Sequence, residues 1–202
     1  MFAIIEAAGW PIWLLVIASI IALAIIVERL WSLRQGLVAP KRLLEQVITE
    51  CHKNGVTPQL VARLSAHSPL GQIFAAGLKN LGSPPEVLKD AIEDVGRSAA
   101  RELERFLTTL GTIATISPLL GLFGTVVGMI EIFGSQGPTG SNPIMLAHGI
   151  SVALYNTAFG IIVAVPSMIF YRHFRGKAEA LLIEMEMQAA KLVEILQGER
   201  QD

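Results

Sequence analysis

The chain has 202 residues, a formal net charge of −1, 52% hydrophobic residues and only 16% charged ones, against about 25% charged in a soluble domain. That balance excludes a basic nucleic-acid footprint and an acidic-substrate surface. The single Cys51 has no partner for a disulfide or zinc framework and reads as an unpaired structural thiol.

Residues 1–6 lead into the first of three stretches that carry no charge: residues 7–27, 106–130 and 132–171. The first two, of 21 and 25 residues, are each long enough to cross a hydrocarbon core of roughly 30 Å at about 1.5 Å per residue. The third is broken at 134–143 by the turn formers GSQGPTGSNP, which leaves a span at 144–171 and a hairpin loop at 131–143. All sixteen Lys and Arg lie at 28–105 or beyond 171. Basic residues stay on the cytoplasmic side. The expected topology is therefore an outside N-terminus at 1–6, three crossings, a cytoplasmic segment at 28–105 and a cytoplasmic tail at 172–202. The N-terminus lacks the basic region and small-x-small site of a cleaved signal, and Glu28 and Arg29 follow the apolar run directly.

The first span has apolar bulk, with Trp10 and Trp13 suited to the membrane interface. The segment 28–85 reads as short helices broken at Pro40, Asn54-Gly55, Pro58, Pro69 and Ser83-Pro84-Pro85, too interrupted for a substantial core of its own. Beyond Pro85 the apolar positions Val87, Leu88, Ala91, Ile92, Val95, Ala99, Leu103 and Phe106 recur at helical spacing. Nothing between Pro85 and Leu107 stops this helix, so it is expected to run straight into the second span. After the third span, Leu181, Leu182, Met185, Ala189, Leu192 and Leu196 approximate a heptad seam. Both amphipathic faces need partners, and neighbouring chains are the expected supply.

The two inner spans are not plain anchors. On a helical wheel Thr108, Thr112 and Thr115 share one face of the second span, with Thr125 on its flank, while Ser117, Gly121, Gly124 and Gly128 make a small-residue face. In the third, Gly149, Ala153, Asn156, Gly160, Ala164 and Ser167 form one stripe with Thr157 at its edge. Small faces let helix backbones approach in lipid. Thr and Ser can satisfy themselves on their own helix, so hydroxyls alone are explained by ordinary packing. A mid-membrane carboxamide is not, because it needs a partner or a wet cavity. Two polar stripes on adjacent helices suggest a lined interior, which two helices cannot enclose, so a ring of subunits is expected. Pro118 and Pro166 free backbone carbonyls inside the spans and read as hinges, coordination points or kinks that shape packing. Glu131 reads as a rim carboxylate and His148 as an interfacial hydrogen-bonding group. No span holds a mid-membrane Asp or Glu.

No catalytic constellation, nucleotide loop or metal-ligand spacing occurs; the four histidines (His52, His67, His148, His173) are scattered. Neither an enzyme nor a cofactor is expected. A solute transporter is disfavoured by the lack of internal repeats, and a non-conducting structural or adaptor protein is the competing class.

The run ISPLLGLFGTVVGM at 116–129 resembles the second-span motif of the ExbB/TolQ branch of the MotA/TolQ/ExbB proton channel family, and GISVALYNTAFG at 149–160 followed by Ala164-Val165-Pro166 resembles its third-span motif. The resemblance extends to the order of the spans and the cytoplasmic segments. The four-span flagellar branch fits less well, and the third span favours ExbB over TolQ. The resemblance implies an all-α inner-membrane stator subunit, assembled as a pentamer around two helices of an ExbD-like single-span protein whose Asp titrates. It implies that Thr125 and Thr157 line the proton path; on the wheel reading Asn156, Thr115 and Thr112 are expected to line it beside them, with Gly121, Gly124, Gly128, Gly149 and Gly160 packing the helices. Output would pass to a TonB-like protein that energises outer-membrane uptake, or to envelope maintenance in a TolQ-like role. Val152 stands where some members carry Glu.

Overall fold

The structure, a computed structural model, describes residues 9–134 and 143–198. The expected outer N-terminus at 1–6 and residues 135–142 of the hairpin loop lie outside the described residues. Eight helices are described: α1 (Ile12–Ser32), α2 (Gln35–Val38), α3 (Leu43–Asn54), α4 (Pro58–His67), α5 (Pro69–Lys79), α6 (Pro85–Leu103), α7 (Leu107–Gly134) and α8 (Pro143–Gly198). No strand occurs among the described residues. Among the described residues three stretches are long and apolar enough to cross a membrane: α1, the α6–α7 stretch and the greater part of α8.

The chain divides into two compact units. One comprises Met1–Glu28 and Phe106–His173, the other Arg29–Arg105 and Phe174–Asp202. The first holds the apolar spans. Within it α1 buries Ile12, Leu15, Ala22, Ile25 and Ile26 and leaves Trp13, Ile17, Ile20, Leu23 and Val27 exposed, as a span with one protein face and one lipid face does. Trp10 sets its ring edge-on to Phe123 at a centroid distance of 6.0 Å.

The second unit is punctuated where the sequence breaks. Thr57 and Ser68 cap α4 and α5, accepting hydrogen bonds from the Leu60 and Gly71 amides, and each is followed by proline at the first helical position. Gly55 ends α3 with φ 68°, a left-handed conformation that glycine adopts without steric cost. Gly71 is held by contact rather than conformation, since a methyl there would lie 2.5 Å from the Leu64 carbonyl oxygen.

The interrupted segment contributes the buried Leu60, Leu64, Leu70, Ile73, Phe74 and Leu78 to a core that also takes in Leu88 of α6. One expectation needs correction here. The seam of the tail is buried in the same chain, with Ala178, Leu181, Met185, Ala189, Leu192 and Leu196 all shielded and Val193 reaching within 3.9 Å of the position a Gly77 side chain would take. Heptad spacing states that a face must be covered; here the short helices cover it, and neighbouring chains are not needed for that.

A second correction concerns α6. It does not run on into the second span: it ends at Leu103, and α7 starts at Leu107 after Phe106 takes φ 62°. A left-handed conformation costs a residue with a side chain about 1–3 kcal/mol. By contrast the third span and the tail form one uninterrupted helix of 56 residues, with Pro166 inside it.

Sidedness is best tested at an exposed position, because Cys51 is buried. With Cys51→Ala as background, a cysteine placed by Lys53→Cys should resist a membrane-impermeant maleimide in intact cells and react once the inner membrane is opened. Labelling of intact cells at this site would reverse the topology.

Candidate functional site

Helix α7 and the part of α8 up to His173, both within the first unit, meet with almost no side chain between the backbones. A methyl added at Gly160 would lie 2.6 Å from the Ser117 carbonyl oxygen and 3.1 Å from Gly121 Cα. One at Gly121 would lie 2.7 Å from the Asn156 carbonyl oxygen and 3.0 Å from Thr157 Cα. Further along, a Gly128 methyl would lie 3.1 Å from Ala153 Cβ and a Gly149 methyl 2.7 Å from Ile132 Cδ1. The pairings 117–160, 121–157, 128–153 and 132–149 run in opposite directions, so the helices are antiparallel. Only glycine fits at such distances, and close approach is the main means by which helices associate in lipid.

Asn156 lies inside this contact. It is 1% exposed, and its Cγ is 2.7 Å from where a Gly124 methyl would be, so the carboxamide occupies the space that residue 124 leaves. Ser117 and Ser167 are also buried, and each donates to the carbonyl four residues back, at Ile113 and Val163, over 2.7 Å. Each serine is a chain neighbour of a proline, Pro118 or Pro166, which cannot donate to the carbonyl of Ala114 or Ile162 in turn.

The two threonines at the edges of the stripes come together. Thr125 Oγ1 is 2.5 Å from Thr157 Oγ1, 3.1 Å from the Gly121 carbonyl oxygen and 3.2 Å from the Ala153 carbonyl oxygen. Each hydroxyl has one proton and two lone pairs. One threonine therefore donates to the other, and either can be the donor. Such a pair can exchange donor and acceptor roles by rotating its O–H bonds, which lets it answer a neighbouring group in either protonation state. Both side chains are partly exposed, so the pair is accessible from one side of the helix pair.

Thr112 and Thr115 are exposed and not gathered with these groups. Thr112 donates to the Thr108 carbonyl at 2.9 Å, and Thr115 reaches the Gly111 and Thr112 carbonyls at 3.1 and 3.0 Å. Ser151, bonded to the Ala147 carbonyl, is exposed as well, as are Glu131 and His148. No group of His, Cys, Asp or Glu placed to hold a metal ion occurs among the described residues. The sequence reading missed the direct Thr125–Thr157 contact. Its signal was there: a flank position on one small-residue helix and an edge position on the other meet when the small faces pack antiparallel.

Fold and site together define a three-span helical membrane protein whose inner spans enclose polar groups in a glycine-packed contact. The profile of the MotA/TolQ/ExbB proton channel family matches residues 65–187, more than half of the chain. The chain is 34% identical over 163 residues to the biopolymer transport protein ExbB-like 3 of Synechocystis sp., covering 78% of this chain and 77% of that one. It is 32% identical over 170 residues to the biopolymer transport protein exbB1 of Vibrio cholerae (81% and 74%). It is 29% identical over 180 residues to the Tol-Pal system protein TolQ of Haemophilus influenzae (83% and 79%). The chain belongs to the MotA/TolQ/ExbB proton channel family, as a subunit of the ExbB/TolQ type.

The glycine contact makes a graded prediction. Gly160→Ala should destabilise the protein by about 1–3 kcal/mol through overpacking, and Gly160→Leu or Gly124→Leu should disrupt the fold. Gly176→Ala, whose methyl would meet nothing within 4 Å, should be neutral or stabilise by up to about 1 kcal/mol. Thermal unfolding in detergent reads the series, and equal midpoints for Gly160→Ala and the unmodified protein would contradict the packing account.

Proposed function

We propose that this chain is an inner-membrane stator and proton-channel subunit that forms a homopentamer around two helices of an ExbD-like single-span protein, and that it converts the proton-motive force into mechanical work on a TonB-like protein for outer-membrane uptake. The observation that carries this reading is the hydroxyl pair of Thr125 and Thr157 at 2.5 Å, set in the contact between the two spans of a proton-channel family member. The chain has no mid-span carboxylate, so the titrating group comes from the partner, and the hydroxyls supply hydrogen bonds to its ionised form. Asn156, Thr115 and Thr112 extend the polar wall. Pro118 and Pro166 leave the carbonyls of Ala114 and Ile162 without an amide donor and give each span a point at which to bend. The chain's location is the inner membrane, with the N-terminus outside and the C-terminus in the cytoplasm.

The energy scale suits this role. One elementary charge crossing 100 mV releases about 2.3 kcal/mol, so a few protons match the energy of rearranging a helix contact. Five walls around two partner helices cannot be equivalent, so protonating one partner Asp lets it move to a drier wall while the other stays ionised beside the threonines.

A TolQ-like role in envelope maintenance is the second reading, favoured by the likeness to the Tol-Pal system protein TolQ over 83% of this chain. Complementation of strains lacking ExbB or TolQ separates the two.

Thr157→Val and Thr125→Val are close to isosteric but remove the hydroxyl. Each should assemble normally with the ExbD-like partner while losing proton flux into liposomes and energised uptake in cells, whereas Ser151→Ala should leave both unchanged. Full flux in the double valine variant would remove the proton-path assignment and leave threonines that merely pack the helices, whereas absence of flux from the unmodified complex would be the behaviour of a non-conducting structural or adaptor protein.

A further inference from the structure

The contact between α7 and α8 has a local two-fold symmetry. Residues 32 positions apart, as Thr125 and Thr157 are, exchange roles across it. A methyl at Gly121 would meet Thr157 Cα, and in the matching contact Thr125 Oγ1 reaches the Ala153 carbonyl oxygen. A methyl at Gly128 would meet Ala153 Cβ, and in the matching contact one at Gly160 would meet Gly121 Cα. Two pairs, Thr125 with Thr157 and Gly124 with Asn156, are their own counterparts, so each pair straddles the symmetry axis. Only the second is unequal. A methyl at Gly124 would lie 2.7 Å from Cγ, 2.8 Å from Cβ and 3.0 Å from Nδ2 of Asn156. The space between these two backbones therefore holds one such side chain, and Asn156, 1% exposed, fills it. Packing is dense enough that emptying or overfilling a space of this kind displaces its surroundings. The immediate chain neighbours of Gly124 and Asn156 are Thr125 and Thr157.

We propose that Asn156 is a positioning residue for the hydroxyl pair: by filling the gap that Gly124 leaves, it sets the separation of α7 and α8 at which Thr125 and Thr157 meet. The threonines form the accessible side of the polar wall and Asn156 its buried side. What matters is that the gap is filled once, and the symmetry allows either helix to supply the side chain. The use of this spacing in proton transfer rests on the proposed proton path; the spacing itself does not.

The test reads the spacing by disulfide formation between cysteines introduced by Thr125→Cys and Thr157→Cys, in a Cys51→Ala chain diluted with cysteine-free chains and treated with a membrane-permeant oxidant. A disulfide needs its Cβ atoms within a narrow range of separation, so Asn156→Gly, which empties the gap, should slow the reaction by roughly tenfold or more. Gly124→Asn, which overfills it, should do the same. The two substitutions combined exchange the residues across the axis and conserve every atom of the pair, so they should restore the original rate. They should also restore folded protein if either substitution alone prevents folding. Thermal unfolding of the same set separates positioning from stability, because a merely stabilising Asn156 would lower the midpoint without changing the rate in folded protein. An unchanged rate in folded Asn156→Gly, or an exchanged pair that does not recover the original rate, would overturn the proposal. Proton flux through the same gap variants with the threonines in place should follow the disulfide rates. Rates that change as expected with flux unaffected would uphold the positioning role and remove the proton-path reading alone.

Discussion

Backbone-to-backbone contact between α7 and α8 is the constraint on which the rest of the membrane unit depends. In lipid the chain gains little from hiding apolar side chains from other apolar side chains, so helices associate through dispersion contacts at close range and through hydrogen bonds. Gly121 and Gly160 bring the backbones within reach, and the same closeness decides where every polar group goes. With residue 124 reduced to glycine, Asn156 has room to lie inside the contact. With the stripes in antiparallel register, Thr125 and Thr157 meet. A branched residue at any of these glycines would separate the helices and disperse the polar groups.

Local punctuation made much of the fold legible in the sequence. Threonine or serine before proline marks the starts of α4 and α5, and Gly55 closes α3, because capping and left-handed turns need particular residue types at particular positions. Span placement followed from uninterrupted apolar length, and the small-residue stripes followed from helical periodicity. Each of these depends on neighbours within a few positions along the chain.

Features set by distant residues were not legible. The seam of Leu181, Met185 and Leu192 declared that it would be buried but not by what, and the covering helices belong to the same chain. The end of α6 has no local marker at all. It coincides with an arginine far back in the sequence that reaches the Glu102 and Leu103 carbonyls, an interaction that no periodicity or propensity encodes. The meeting of Thr125 with Thr157 is an intermediate case. Each residue was visible on its own wheel, but their contact required the register between two helices, which the glycines set.

The central claim is that the threonine pair hydrogen-bonds the ionised carboxylate of a partner helix. The most direct test is an infrared titration of that carboxyl group in the reconstituted complex, with the chain unmodified and with Thr125 and Thr157 both replaced by valine. A hydrogen bond to the charged form lowers a carboxylate's pKa, and one to a charged group is worth about 1.5–3 kcal/mol, or about one to two pH units. The account predicts that the midpoint rises by that amount when the hydroxyls are removed and the complex stays intact. An unchanged midpoint in an intact complex would contradict it.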